Sequence, residues 1–462
     1  MSTPGEQIEI PIDPDWVVSV EKKLKKTIRE DWRTRPPTIF RVLPNLRGVD
    51  PQVYEPTIIS LGPFHHDKSH PKAMDHLKWH YLNKFLGRNP QKPLEDYLKL
   101  IKEKEWQARM AYSEEVEMTS DDFVQMMLLD CCFVIKTILP EGEGRATIWS
   151  LSPVLVRDML ILENQLPFCL LKPLFDSTFP GQSLNNLILA FLRRSISITT
   201  ETPSVGKSFH HILHLFHSCI LPANDPDGRE SSTSLCHNLS CMQNMFPVSS
   251  WPSSWINKLS CCSGDDQEET NMLLDWIPSA TRLTEAGVHI RKKKKKAKSF
   301  LDITFRDGKM EIPEIQVDDH TNTLLRNLIA FEQCCKEASH HVTAYAGLID
   351  CIVDTAADVA LLQQSKIIIS GMGSGEEKVA TLFNRLGKEV TIDDPRRSNF
   401  SRIYKEANEH YGARCNKWRA RLNHDYFSNP WAIVSVAAAI FLFILTTTQT
   451  IYIILSYLQL TK

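Results

Sequence analysis

The run PWAIVSVAAAIFLFILTTTQTIYIILSYLQL, Pro430 to Leu460, governs every other reading of the chain. Around it, from Tyr426 to Thr461, there is no Asp, Glu, Lys, Arg or His. A bilayer core takes about 20 apolar residues as a helix, so the run is long enough to span with some tilt. It reads as a transmembrane helix over 430–458, opened by Ser428 or Asn429 as cap and Pro430 in the first turn. Trp431 and Tyr457 stand near the two ends, where amphipathic rings favour headgroups. Arg402, Lys405, Arg414, Lys417, Arg419 and Arg421 precede the helix, and only Thr461 and Lys462 follow it. The positive-inside rule then keeps the body of the protein in the cytosol. The opening MSTPGEQIEIPIDPDW lacks the basic and apolar regions of a secretory signal. The expectation is a tail-anchored, single-pass membrane protein, in plasma membrane or endomembrane alike, with membrane lipid as its first partner. Ser435 and Ala439 have small-xxx-small spacing and Gln449 is an unusual amide in such a run, which points to homo- or hetero-oligomers through this helix.

Outward from the anchor, composition removes several function classes. The 462 residues carry 53 basic and 55 acidic side chains, a net charge of -2, so no global field steers the chain to nucleic acid and no specific nucleic-acid partner is expected. The 12 cysteines are scattered, with adjacent pairs Cys131/Cys132, Cys261/Cys262 and Cys334/Cys335 and no CxxC spacing, as in a reduced cytosolic chain.

Within 1–35, Val17, Val20, Leu24 and Ile28 recur at helical spacing opposite Lys22, Lys23, Lys25 and Lys26. This amphipathic helix is expected to dock on its own domain. A proline-rich extended stretch follows. Leu94, Leu98 and Ile101 then make an apolar stripe, Ser120 caps a nearly all-apolar helix to Ile138, and Ser152-Pro153 starts another that runs into Leu162-Glu163-Asn164-Gln165. Asp122, Asp130, Asp158, Glu163, Asn164 and Gln165, carried on such apolar helices, need internal partners. Residues 222–270 lose all periodicity and read as a mobile insertion. Leu301, Ile303 and Phe305 alternate with polar residues before Asp307-Gly308, with Met310 and Ile312 beyond, which predicts a β-hairpin. Two helices are expected from Thr321 to about Gln364. The architecture expected is mainly α: a large helical globular domain over 36–221 and 271–425, a small β-hairpin, and a C-terminal single-pass transmembrane helix.

Constellations that could carry chemistry are few. Val205-Gly206-Lys207-Ser208 sits where a phosphate loop would, but Glu201 replaces its first glycine. Gly371-Met-Gly373-Ser-Gly375 lacks dinucleotide spacing, and Ser374 with Glu377 makes an ordinary capping box. His210, His214 and His217 share a helix face and could reach one metal, but the opposite face is apolar and a plain solvent face is the simpler reading. His65, His66 and His70 beside Asp67 form a second histidine group in a proline-bounded turn. Glu163-Asn164-Gln165 and Glu332-Gln333 could do acid and base work, although buried networks that fix packing use the same residues. Arg291, Lys292, Lys293, Lys294, Lys295 and Lys296 read as a solvated loop, either inert, a lipid-attracting patch or an import signal. No catalytic residue, cofactor or metal is assigned from these.

Ordered blocks carry a resemblance across nearly the whole chain: Ile39-Phe40-Arg41-Val42 with Pro44, Tyr54-Glu55-Pro56, Ile59-Ser60-Leu61-Gly62-Pro63-Phe64-His65-His66, His76-Leu77-Lys78-Trp79, Asp122 to Met127, Leu162 to Phe168, Asn327 to Cys334, and Tyr426-Phe427 with Pro430-Trp431. Together they resemble the plant family called domain of unknown function 247, also the UPF0481 family. Cys131 departs from the glycine usual there. The resemblance implies a plant protein of unassigned biochemistry, with some grass members associated with self-incompatibility as pollen-side determinants. That implies an interaction, recognition or signalling component; the alternative is an enzyme of unassigned class using the His65/His66 turn or the Glu163 cluster.

Overall fold

The structure, a computed structural model, describes residues 13–27, 36–66, 72–139, 152–196, 208–222, 276–294, 297, 299–371, 375–391, 398–413 and 430–460. The chain divides into two compact units: Met1–Ser195 with Pro203–Phe216 and Cys334–Ala338, and Ile196–Thr202 with His217–Gln333 and Ser339–Lys462.

The first unit holds α1 (Pro14–Thr27), α2 (Pro44–Val49), α3 (Lys72–Leu86), α4 (Leu94–Glu103), α5 (Glu105–Met110), α6 (Ser120–Ile138), α7 (Ser152–Met159), α8 (Phe168–Thr178) and α9 (Leu184–Ser195). Its centre is α6, buried on nearly every side from Phe123 to Ile138. A helix apolar all round needs neighbours all round. It has them in α3, α4, α8 and α9. Tyr81 stacks on Phe133 at 5.5 Å and Phe85 meets Tyr97 edge-on at 5.4 Å, which locks α3 to α6 and α4. Each such ring contributes about 1.5–3 kcal/mol by leaving water. The cap of α6 is Thr119, one residue before the expected Ser120: its hydroxyl accepts the Asp122 N–H at 3.2 Å.

Two expectations fail here. Along α1, Trp16, Val17, Val18 and Val20 are exposed, so its described apolar side chains are not docked; with Val18 beside Val17 they leave a single stripe, and the side chains of Leu24 and Ile28 lie outside the described residues. The helix starting at Ser152 stops at Met159, and Glu163, Asn164 and Gln165 lie in irregular backbone before α8. Asn164 and Gln165 themselves break the helix, because their amides bond the carbonyls of Asp158, Met159 and Ile161 that a continuing helix would use.

α10 (Ile212–Ile220) follows, and the second unit adds α11 (Ala280–Glu285), β1 (His289–Lys292), β2 (Thr304–Arg306), β3 (Lys309–Ile312), β4 (Ile315–Val317), α12 (Thr321–Cys334), α13 (His341–Ile352), α14 (Ala356–Gln364), β5 (Ile368–Ser370), α15 (Glu376–Leu386), α16 (Ser401–Gly412) and α17 (Pro430–Leu460). The hairpin is present, with Phe305 opposite Met310. Asp307 at φ 50° and Gly308 at φ 70° give the turn the left-handed pair that a two-residue hairpin requires. β1 adds to β3 in parallel, so the sheet order is β1-β3-β2, and β4 pairs with β5 in parallel. The stretch from Thr321 to Gln364 is three helices, not two. Between α13 and α14, Thr355 and Asp358 form a capping box that starts a new helix.

The transmembrane helix is not supported. α17 runs 31 residues, yet among the described residues no helix is long and apolar enough to cross a membrane. The polar run Thr446-Thr447-Thr448-Gln449-Thr450 interrupts it. The apolar stretch before that run, Trp431 to Leu445, falls short of the roughly 20 apolar residues a bilayer core takes. The insertion expected at 222–270 lies, after residue 222, outside the described residues.

Candidate functional site

Residues 57–62 of the first unit belong to no strand among the described residues, so their backbone groups must be satisfied by something else. Side chains from far along the chain do it. The Asp158 carboxylate accepts the N–H groups of Thr57 at 3.0 Å, Ile58 at 2.7 Å and Ile59 at 3.0 Å. Asn164 accepts the Leu61 N–H at 2.7 Å and donates to the Ile59 carbonyl at 3.0 Å. Asp130 accepts the Gly62 N–H at 2.8 Å and pairs with Lys78 at 2.5 Å, and Lys78 donates to the Ser60 carbonyl at 2.7 Å. Gly62 has φ 69°, and a Cβ there would lie 2.7 Å from the Tyr112 hydroxyl and 3.1 Å from the Gln165 carbonyl. Only glycine fits this close approach.

The strap ends at His65, fully buried between two carboxylates: Nδ1 is 3.4 Å from Glu55 and Nε2 is 3.5 Å from Glu163. Glu163 is the hub. One oxygen accepts the Val42 N–H at 2.7 Å and the Arg47 guanidinium, and the other accepts Arg41 at 3.0 Å. Arg47 also pairs with Glu55 at 2.7 Å. Burial alone would lower the Arg47 pKa, but the two carboxylates outweigh it and raise it. Arg41 lies over the Phe64 ring at 4.1 Å and reaches Glu114 at 3.0 Å. Chemically, an imidazole between two carboxylates can carry protons, and this is the arrangement an enzyme would use. Here, however, both Glu163 oxygens are taken by backbone and guanidinium donors. Gln165 is equally committed, donating to Met159 and Ile161 and accepting the Leu213 N–H at 3.0 Å.

The second unit has its own buried hub. Glu332 of α12 accepts the Val342 N–H at 3.0 Å, the Thr343 N–H and hydroxyl at 2.7 Å, and meets His217 Nε2 at 2.7 Å. Its carboxylate therefore caps the start of α13. His217 is thus buried and paired with a carboxylate, and does not belong to a solvent face. His210 lies before α10, and its ring stacks on His214 at 5.1 Å. His211, unsingled in the sequence, is the fully buried one of that group and bonds the Thr38 carbonyl at 2.9 Å. Among the described residues, no group of three or more His, Cys, Asp or Glu is placed to hold a metal ion.

The basic run is not a loop at its start. Arg291 and Lys292 belong to β1, where Arg291 pairs with Glu311 at 2.7 Å and Lys292 with Glu314, and Lys293 reaches Asp302 at 2.7 Å. Acids on β3 and its flanks neutralise these three, which a one-dimensional count of cations cannot show. Lys294 is exposed, and Lys295 and Lys296 lie outside the described residues. Also outside them are Val205 to Lys207, residues 372–374 of the glycine-rich turn, Asp67 and His70 of the histidine turn, and the side chains of Trp431 and Tyr457. Gln449 is an exposed side chain of α17.

Fold and site define a class: mainly helical proteins in which an N-terminal strap is held by buried carboxylates and amides of later segments. The chain belongs to the plant family described as plant protein of unknown function, domain of unknown function 247, whose model matches residues 39–445. It is similar to UPF0481 protein At3g47200 of Arabidopsis thaliana, 27% identical over 435 residues that cover 91% of this chain and 87% of that protein. It is also similar to the Putative UPF0481 protein At3g02645 of the same plant, 23% identical over 505 residues covering 96% and 95%. No solved structure matches the chain.

Proposed function

We propose that this protein is an interaction or recognition component of its family and not a catalyst. The observation that carries the reading is the saturation of Glu163: among the described residues its carboxylate meets Arg41, Val42, Arg47 and His65, all positional contacts, so the cluster with the greatest catalytic potential is spent on holding the strap. The surface offers contact residues instead. Trp79 and Trp106 of the first unit and Trp276 of the second are each about half exposed, and tryptophan is a favoured anchor at protein interfaces. A reducing compartment suits the chain, since the described cysteines are free thiols.

The test is paired. Proximity labelling from the intact protein in plant cells, compared with Trp79→Ala and Trp106→Ala, is expected to lose a defined subset of neighbours while the fold is kept. An unchanged labelling profile in both variants would refute the reading. The placement of His65 between Glu55 and Glu163 favours a second reading, an enzyme of unassigned class. Stabilisation of the purified chain by a nucleotide or divalent metal, abolished in His65→Ala, would support that alternative.

A further inference from the structure

The least explained surface of the molecule is α17. Every described side chain from Ala438 to Ile453 is exposed, including Phe441, Leu442, Phe443 and Tyr452 at 62–76%. An exposed surface with this many large apolar side chains marks an association site. Three observations select the occupant. The positions Ser435, Ala439, Leu442, Thr446, Gln449 and Ile453 are spaced 4-3-4-3-4, so they form one seam along the helix with the 3.5-residue repeat of a two-stranded coiled coil. The threonine hydroxyls around that seam are already bonded, Thr446 to the Leu442 carbonyl at 2.8 Å, Thr447 to Phe443 at 2.7 Å and Thr450 to Thr446 at 2.8 Å. Gln449 makes no such bond among the described residues, and its amide is both donor and acceptor, so an identical amide facing it satisfies both groups at once. Finally, the sequence of α17 has no Asp, Glu, Lys, Arg or His, which gives an ionic partner nothing to pair with and leaves two copies nothing to repel.

We infer that α17 is covered by α17 of a second copy of this chain, packed in parallel along the Ser435–Ile453 seam with the two Gln449 amides bonded across it. Parallel packing sets every position of the seam, Ser435 and Ala439 included, against its own copy, whereas an antiparallel pair would do so at one position only. Ser435 and Ala439 let the backbones close at one end, and the amide pair sets the register, as a single buried polar residue does in parallel dimers. Eighteen residues of rise place the two ends of the seam about 27 Å apart. This association is independent of whether the protein recognises a partner or catalyses a reaction.

The experiment uses the full chain purified in nonionic detergent. Ala439→Cys, Leu442→Cys and Gln449→Cys on the seam, and Phe441→Cys, Ile444→Cys and Thr448→Cys off it, are oxidised, and the homotypic linked peptide is identified by mass spectrometry, which separates it from the native cysteines. Crosslinking concentrated on the three seam positions is expected, with a dimer mass by light scattering. Gln449→Leu is expected to weaken the dimer by roughly three- to thirtyfold, the range for one interhelical hydrogen bond in an apolar setting. A monomer shielded by detergent alone, a flat crosslinking profile, a peak on the Phe441 face, or an undiminished dimer in Gln449→Leu would each overturn the inference.

Discussion

Replacing Asp158 by alanine tests whether side chains really substitute for a partner strand. The carboxylate serves three N–H groups and the Arg157 guanidinium at 2.7 Å. Of the three donors, Ile59 is buried, Ile58 half-buried and Thr57 exposed, so water replaces the last bond almost fully and the first not at all. An orphaned buried donor costs about 1–3 kcal/mol, and half of that is reasonable for Ile58. Arg157 keeps the carbonyls of Gln52 and Glu55 but loses its counter-charge. The sum is about 3–5 kcal/mol, the range for breaking one side of a buried ion pair. For a unit of this size that is a fall in Tm of roughly 6–20 °C. The assay is calorimetry on the full chain with hydrogen exchange on peptides covering 55–63. The exposed pair Glu95–Lys99 supplies the control, since Glu95→Ala is expected to change stability by less than about 0.5 kcal/mol. If Asp158→Ala shifted Tm no further than Glu95→Ala and left exchange of Ile59 unchanged, the strapping argument would be wrong.

Further outcomes follow from the same geometry. Gly62→Ala is expected to cost about 2–4 kcal/mol, from φ 69° and the 2.7 Å approach to Tyr112, and Tyr112→Phe in the same chain should recover only the steric part, as denaturant melts would show. Burial would raise the Asp358 pKa, but hydrogen bonds from Thr281 and Thr355 more than offset it and lower it, so its stabilisation is full above about pH 4 and fades as pH falls through the folded value. Stability curves of the parent chain and Asp358→Asn should therefore converge in acid and separate at neutral pH. Burial pushes the Cys131 and Cys132 thiols far up and Cys169 to about 11. At pH 8 iodoacetamide should leave Cys131 and Cys132 unlabelled in the native protein and react readily after unfolding. Glu332→Gln leaves one acceptor oxygen for the start of α13 and sets an amide NH2 against the donors that the other oxygen served, so a melt at neutral pH should show a loss of about 2–4 kcal/mol in stability.

The helical class and the hairpin were readable because they rest on local patterns: apolar helices such as α6, and an Asp-Gly turn between alternating strands. The need of Asp130, Asp158, Glu163, Asn164 and Gln165 for internal partners was readable too, from burial physics alone. Their partners were not: the strap amides that Asp130, Asp158 and Asn164 hold and the Arg41 guanidinium that Glu163 binds lie 68 to 122 residues away, and backbone groups carry no side-chain signature. The break at residues 160–167 was missed for the same reason, as its apolar spacing continues through a turn made by amide side chains. β1 was missed because its cations look like solvent residues until Glu311, Glu314 and Asp302 are brought beside them. The bilayer reading of α17 rested on the length of the uncharged run and gave too little weight to the polar Thr446–Thr450 stretch that interrupts it.

The long separation between the strap and its holders bears on how the protein is made. Thr57 waits 101 residues for Asp158, and Leu61 waits 103 for Asn164. At 5–20 residues per second, the ribosome delivers those side chains about 5–20 seconds after the strap has emerged. For that interval the N–H groups of Ile58, Ile59 and Leu61 lack the acceptors they bond in the folded chain, and their apolar side chains make a segment that a holding chaperone would recognise, so yield on expression should depend on translation speed and chaperone supply.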